Sequence, residues 1–366
     1  MKRLIALLLA LVLCLGLLAA CDQTPQETTD PVQTPTDDGK PSAEERGYYL
    51  AEDYLADPTL FVPKWQGQFE VPAEMLDWEE KFQQFYTPNG RTMSIGHRGD
   101  RNVLYPENSI EGFLSVIYAG IDILEVDIIK TKDGVPIVFH DNDLLRTTNL
   151  TLMRLDGQAE NLPKSNLVSD WTLEEIRQLR LVMETGEVTN YVVPTFEDVL
   201  MIAKNRVFIT LDKFSRFDWN LDIMPVIEKL GAYETVLVPY TYTNANSFGF
   251  TTTSFLLKRL KNAGARQAPM ACMVTKDTIA QVAASIEEHG FPKVFRCGEY
   301  QPGDKAYAAI YLPYAGEYRM FFETLTREND NVTVWTEMDE YGFNIIMANV
   351  DPYGLCQFIK DRYFSK

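Results

Sequence analysis

Histidine is scarce in this chain, with three residues among 366. Few positions are therefore open to imidazole proton transfer near neutral pH, and two of the three, His97 and His140, fall in one short stretch rich in charge. Basic clusters are missing: the formal net charge is -18 and Lys and Arg are dispersed, which excludes nucleic acid as a partner. Cysteine is sparse as well. Beyond Cys14 and Cys21 near the start there remain Cys272, Cys297 and Cys356, an odd number in apolar surroundings without metal-ligand spacing. That excludes a disulfide framework and a zinc centre, and leaves buried free thiols as the expectation. Long apolar runs are absent except for Leu4–Leu18, which is shorter than the roughly 20 residues a spanning helix needs. No repeat is visible, so a solenoid is excluded.

What is present begins with a leader. Lys2 and Arg3 precede the apolar run, and the small residues Ala19 and Ala20 precede Cys21. This is the pattern of a bacterial lipoprotein signal over residues 1–20, with Cys21 expected to carry lipid and become the new N-terminus. Residues 21–46 are Thr, Pro, Asp and Glu with almost no apolar side chain, and are expected to be a disordered tether. The expected location is the outer face of a bacterial cell membrane, reached through the lipid rather than a transmembrane helix. Residues 47–90, rich in Tyr, Trp and Phe, read as an N-terminal arm packing on the exterior or base of a domain that occupies 91–366.

From Ser94 on, strand and helix signals alternate, as in a parallel sheet covered by helices. Strands are expected at Ser94–Gly96, Ile123–Ile129, Val207–Leu211, Val236–Pro239, Pro269–Val274, Lys293–Arg296, Val332–Thr336 and Ile345–Asn349. Helices are expected at Ser109–Tyr118, Thr172–Arg180, Phe196–Lys204, Leu221–Leu230, Ser254–Ala263, Thr278–His289 and Tyr318–Arg327. Eight strands close most simply into an α/β (β/α)₈ barrel, with an open doubly wound sheet as the alternative. One segment breaks the rhythm. Val135–His140 follows Asp133-Gly134, a hairpin dipeptide, and a two-residue turn there sets Lys132 against Val135 and Asp127 against His140. Glu125, Asp127 and His140 then share one face. The long polar stretch from Arg146 to Asp170 reads as a lid, a rim or a surface excursion, and His289 before Gly290 as a helix C-terminus.

The stretch from His97 to His140 holds two imidazoles, the guanidinium of Arg98 and the acids Glu107, Glu125 and Asp127. Proton carriers, an anion binder and oxygen ligands for a hard cation are together the equipment for cutting a phosphodiester. At this point the chain resembles the glycerophosphodiester phosphodiesterases, in IGHRGD, PENSIEGF and ILEVDIIKTKDGVPIVFHDNDLLRTT, then in LVSDWTLEEIRQL and VPTFEDVL, and more loosely in VFITLDKF, VTVWTEMD and IIMANVDPYGL. The resemblance implies a (β/α)₈ barrel, with His97 and His140 as general acid and base and Arg98 and Lys213 on the substrate phosphate. It further implies Glu107 as an orienting acid and Glu125, Asp127 and Asp212 as ligands of Ca²⁺ or Mg²⁺, since all-oxygen ligation suits a hard ion. Trp335 would lie in the leaving-group pocket. The implied substrate is a small glycerophosphodiester.

Three departures stand out. Asp212-Lys213 replaces a usual Glu-x-Lys, Trp335-Thr336-Glu337-Met338 a usual Trp-Thr-Val-Asn, and Ala348-Asn349 a usual Thr-Asp. On a regular strand Asp212 and Lys213 would face opposite ways. The alternatives are a phosphatidylinositol-type phospholipase C, which the Arg98-Gly99 and Pro106-Glu107-Asn108 contexts disfavour, and a lipoprotein that binds phosphorylated ligands without turnover, which would bind tightly and yield no product.

Overall fold

The computed structural model describes residues 41–242, 249–324, 326 and 328–365. The leader, Cys21 and nearly all of the expected tether lie outside the described residues. At the near end of that stretch, Ala43–Arg46 is a helical turn, and Arg46 donates to Asp53 at 2.5 Å. Residues 43–46, the last part of the expected tether, are therefore helical, with Arg46 held by an acid on the next helix.

Nine strands form the sheet of the unit Ala43–Lys366: β1 Met93–His97, β2 Ile123–Lys130, β3 Pro136–Val138, β4 Phe208–Asp212, β5 Val238–Thr241, β6 Met270–Met273, β7 Val294–Glu299, β8 Arg319–Thr324 and β9 Ile345–Ala348. All except β3 pair in parallel, in the order β4-β2-β1-β9-β8-β7-β6-β5. The ring closes at Ile209, whose N–H donates to the Thr235 carbonyl and whose carbonyl accepts from Leu237 N–H, both at 2.8 Å. This is the (β/α)₈ barrel.

Alternation along each strand divides the core. Leu124, Val126 and Ile128 of β2 pack outward against helices, including Phe113 and Val116 of the helix Ile110–Tyr118. Met93, Ile95, Ile123, Phe208 and Phe321 point the other way and join Trp78, Phe82 and Phe85 in a second cluster. Those three lie four and three residues apart on the helix Trp78–Phe85, a single apolar face. Their rings stand 4.8, 6.4 and 4.5 Å from that of Phe208, so the helix plugs the N-terminal end of the barrel. The rest of the arm binds the outside, with Tyr54 donating to Glu111 at 2.6 Å and Trp65 Nε1 to the Ser115 carbonyl at 3.1 Å.

Two expected elements exchange identity. Arg319–Thr324 is a strand, and Val332–Glu340 is a helix. In β8 Phe321 faces the barrel interior while Met320 and Phe322 face the helices, so both faces are buried and no alternation shows. The β-branched run Val332-Thr333-Val334 becomes helical because Asn331 Oδ1 accepts from the Thr333 and Val334 N–H groups at 3.0 and 3.2 Å. Trp335 is carried along. It is 1 % exposed, its ring tilted against that of Phe358 and its Nε1 donating to Asp330 at 3.2 Å, so it belongs to helix packing and not to a substrate pocket.

The hairpin is also offset by one residue. Ile128 pairs with Val138 and Lys130 with Pro136, and Thr131 N–H donates to the Val135 carbonyl at 3.0 Å. The turn is Lys132-Asp133-Gly134, with Gly134 at φ 82° and the Thr131 hydroxyl donating to Asp133, a three-residue loop in place of a two-residue one. Phe139, not His140, stands opposite Asp127. The stretch from Leu144 to Leu181 has its own core around Trp171, Leu150 and Ile176, shared with Ile137 and Phe139. It is a packed cap over the hairpin. Cys272, Cys297 and Cys356 are buried and free.

Candidate active site

The C-terminal ends of β1, β2 and β4 converge by register. His97 is level with Glu125, and Asp127 with Asp212. In a (β/α)₈ barrel this is the end where side chains meet the βα loops. Oxygens of Glu125, Asp127 and Asp212 all lie within 4.8 Å of one another, inside the roughly 5 Å separating two oxygens on opposite sides of one Ca²⁺. Burial first, then Asp127 and Asp212 beside it, pushes the Glu125 carboxyl well above the usual carboxylate range. Asp127 Oδ1 is buried without a hydrogen bond. A cluster that raises its own proton affinity and leaves an oxygen unsatisfied fits a divalent cation.

After His97 the chain turns back at once, with φ positive at Arg98 (56°) and Gly99 (76°). A Cβ on Gly99 would meet the Phe113 ring at 2.8 Å, so only glycine allows helix and loop to pack this closely. The turn brings Arg98 N–H to Glu125 Oε2 at 3.0 Å and its guanidinium to Glu107 at 3.3 Å. Arg98 Nε lies 3.1 Å from Asp127 Oδ2, a close charge pair without the alignment of a hydrogen bond. Asn108, at φ 58°, donates to the same Asp127 oxygen at 3.0 Å.

His97 is 9 % exposed, and its Nε2 is 3.8 Å from Glu125 Oε2. Nδ1 is 2.5 Å from Asn349 Oδ1. Arg101 Nη1 stands 3.0 Å from the same nitrogen; a carbonyl oxygen only accepts and a guanidinium only donates, so the two contacts call for opposite tautomers of the ring. Burial, with Arg98 and Arg101 adding to it, pushes the imidazole down to about 3, so it is neutral at physiological pH. Asn349, one of the departures from the family pattern, therefore touches His97.

The chain leaves strand geometry after Val138, and His140 lies at this end of the barrel, its carbonyl accepting from Lys213 and its ring close enough to Glu107 to act on that carboxyl. Its Nδ1 is 2.5 Å from Asp141 Oδ1, and Asp141 is bound by Arg146 at 2.6 Å. Lys213 also enters. The strand stops at Asp212, and Lys213 takes the left-handed conformation (φ 56°, ψ 19°), so the two neighbours do not face opposite ways. Its Nζ donates to the His140 carbonyl and stands 3.5 Å from Asp127 Oδ1. Glu107 lies between Arg98 and Arg146. Burial works to raise its carboxyl, but the two guanidiniums outweigh it and hold it low.

His97, Arg98, Glu107, Glu125, Asp127, His140, Asp212 and Lys213 thus share one end of the barrel, while Trp335 is buried against Asp330 behind the ends of β8 and β9. Sequence reasoning did not assign roles to Asn108, Arg101, Asp141, Arg146 or Asn349. For Asp141 a signal existed, as an acid directly after a candidate catalytic histidine is a ready partner for its Nδ1.

A (β/α)₈ barrel bearing two imidazoles, an acid cluster and placed cations at its C-terminal mouth has the arrangement of a barrel enzyme. Residues 97–362 match the glycerophosphoryl diester phosphodiesterase family, and the chain belongs to it. A glycerophosphodiester phosphodiesterase from Caldanaerobacter subterraneus subsp. tengcongensis is 36 % identical over 121 residues, 32 % of this chain and 43 % of that protein. One from Bacillus altitudinis is 34 % identical over 119 residues, 31 % of this chain and 41 % of that protein. The chain therefore spans about two fifths of the length of these relatives. The crystal structure of a glycerophosphoryl diester phosphodiesterase from Parabacteroides distasonis resembles this one with a TM-score of 0.59 at 20 % identity, covering 78 % of this chain and 92 % of that one, a likeness of fold.

Proposed function

We propose that the protein is a metal-dependent phosphodiesterase that hydrolyses glycerophosphodiesters to glycerol phosphate and an alcohol, with His97 and His140 moving the protons. The reading is carried by one observation: both histidines lie at the barrel end that holds Glu125, Asp127 and Asp212. Ca²⁺ or Mg²⁺ held by those acids would neutralise charge on the phosphoryl group and acidify a neighbouring hydroxyl. Arg98 and Lys213 bind phosphate oxygens, the planar guanidinium two at a time. His97, uncharged and with Nε2 on the side of Glu125, takes the proton of the attacking glycerol 2-hydroxyl. His140, whose Nδ1–H is held by the Asp141 carboxylate, delivers a proton from Nε2 to the departing alkoxide. The cyclic phosphate so formed is opened by water, with the two roles reversed.

The protein is further proposed to act on the outer face of the membrane, held by lipid on Cys21. The leader pattern supports this, and no helix among the described residues is long and apolar enough to cross a membrane. The test is hydrolysis of glycerophosphocholine and glycerophosphoglycerol, with and without chelator, in wild type and in His97→Ala and His140→Ala. Turnover indifferent to chelation, or surviving either substitution, refutes the mechanism. Labelling with a radioactive fatty acid, abolished by Cys21→Ser, tests the anchor.

A further inference from the structure

Arg146 lies outside the set of groups that would touch substrate, yet it bridges two carboxylates that hold groups of that set. Its Nε and Nη2 donate to the two oxygens of Asp141 at 2.6 and 3.1 Å, while Nη2 and Nη1 donate to the two oxygens of Glu107 at 2.6 and 3.1 Å. Beyond Asp141 stands the imidazole of His140, and beyond Glu107 the guanidinium of Arg98, which reaches on to Asp127. Lys213 closes the loop from Asp127 back to the His140 carbonyl. Six charged side chains and one imidazole form a ring, and Arg146 is its most exposed member, at 48 %. Its backbone is fixed by neighbours that are not exposed: Leu144 is 0 % exposed and Thr147 5 %.

We propose that Arg146 is a positioning residue that holds the His140 imidazole and the Arg98 guanidinium at a fixed separation, by gripping Asp141 with one edge and Glu107 with the other. This inference rests on the proposed reaction and adds a residue to it. The chemistry favours the role. A rigid planar fork can satisfy two carboxylates at set angles, which a lysine ammonium on a flexible stem cannot. Asp141 is also the partner that keeps the proton on Nδ1 of His140, so that Nε2 faces the reaction. Loosening the fork frees both groups to drift, and a misplacement of about 1 Å costs about 10²-fold in rate.

The experiment compares full-length wild type, His140→Ala, Arg146→Ala, Arg146→Lys, Asp141→Asn and the pair Arg146→Ala/Asp141→Asn on glycerophosphocholine with Ca²⁺ or Mg²⁺ present. Arg146→Ala should lower kcat about 10²-fold with KM changed by less than about threefold. Arg146→Lys should recover little of that loss. Because the side chain is half exposed, millimolar guanidinium, far below denaturing concentrations, should restore part of the Arg146→Ala rate and leave the wild type unchanged. The pair should be no slower than the slower of its two single variants, since both break one link. A wild-type kcat in Arg146→Ala, a loss confined to KM, a full recovery by lysine, or an additive pair overturns the proposal. If His140→Ala also retains full activity, the proposed reaction falls with it. Loss in His140→Ala alone leaves the reaction standing and removes Arg146 from it.

Discussion

The two ends of the barrel both bury charge, and they handle it in opposite ways. At the plugged end Arg91 is bidentate to Asp122, at 2.7 and 3.0 Å, and to Glu80, at 2.7 and 2.8 Å. Asp122 accepts further from Ser94, and its pairing with Arg91 outweighs burial and holds its carboxyl below the usual range. Lys81 and Arg319, both buried, point at carbonyls: Ile121 for the first, Arg91 and Asn344 for the second. At the open mouth three acids crowd one another, and Asp127 keeps an oxygen without a hydrogen bond. Arg91, Asp122 and Glu80 pair opposite charges, although Arg319 Nε beside them lacks a hydrogen bond, whereas the acids at the mouth crowd like charges together. Crowding of like charge, not burial, marks the working end.

The largest effect that could break this comparison lies at the mouth. His97→Ala and His140→Ala should each lower kcat by about 10²–10⁴-fold with the melting curve little changed. A large loss of stability in either would mean that the histidines serve the fold. The plugged end should behave in reverse. Asp122→Ala leaves Arg91 buried beside one acid instead of two, and should cost about 3–5 kcal/mol by urea denaturation. Turnover per folded molecule, counted by active-site titration, should stay at the wild-type value.

Part of the mouth is legible in sequence because strand alternation carries it: Glu125, Asp127 and Asp212 lie on inward positions of β2 and β4, whose outward residues are apolar. What is not legible depends on backbone states that residue type does not announce. Lys213 enters only because its φ is +56°. The hairpin register turns on the Thr131 hydroxyl selecting a three-residue loop, a difference of one residue that moves every facing pair. β8 was hidden by burial of both its faces, and the neighbouring helix by a cap outvoting β-branched propensity. The Trp335-Thr336 pair, similar to a family motif, lent false weight to that exchange. Arg146 was legible as a cation but not as a bridge, since its two acids lie five residues away and far back in the chain.

Glu111 stands between the two regimes, buried with the single neutral partner Tyr54. Burial raises its carboxyl from 4.5 to about 7, against the hydrogen bond from Tyr54. The folded protein therefore holds a proton that the unfolded chain has already released between these values. Stability from the protonated form is complete below about 4.5 and is lost as pH rises through about 7. The wild type should lose roughly 3 kcal/mol across that window relative to Glu111→Gln, which cannot ionise. Urea midpoints of the two proteins from pH 4 to 8 check this, and parallel curves would show that Glu111 is ionised throughout.

The smallest effect tests the comparison most directly. If the crowded acids at the mouth are held against their own repulsion, removing one charge should stabilise the protein when no cation is available. Glu125→Gln keeps the shape of the side chain and, through its amide oxygen, the acceptor for Arg98 N–H. In chelator it should raise stability by roughly 1 kcal/mol, the scale on which relief of functional strain is felt. Adding Ca²⁺ should then reverse the order. At a hundredfold excess over its dissociation constant the ion stabilises the wild type by about 2.7 kcal/mol, while the variant, short of one ligand, gains less. The equivalent change at the plugged end, Asp122→Asn, should destabilise under both conditions and ignore Ca²⁺. Thermal melts of the three proteins, each with chelator and with Ca²⁺, separate a binding site from a structural ion pair: opposite responses to the ion belong to the mouth, and a Glu125→Gln variant that melts lower in chelator would place its acids among the groups that merely hold the barrel together.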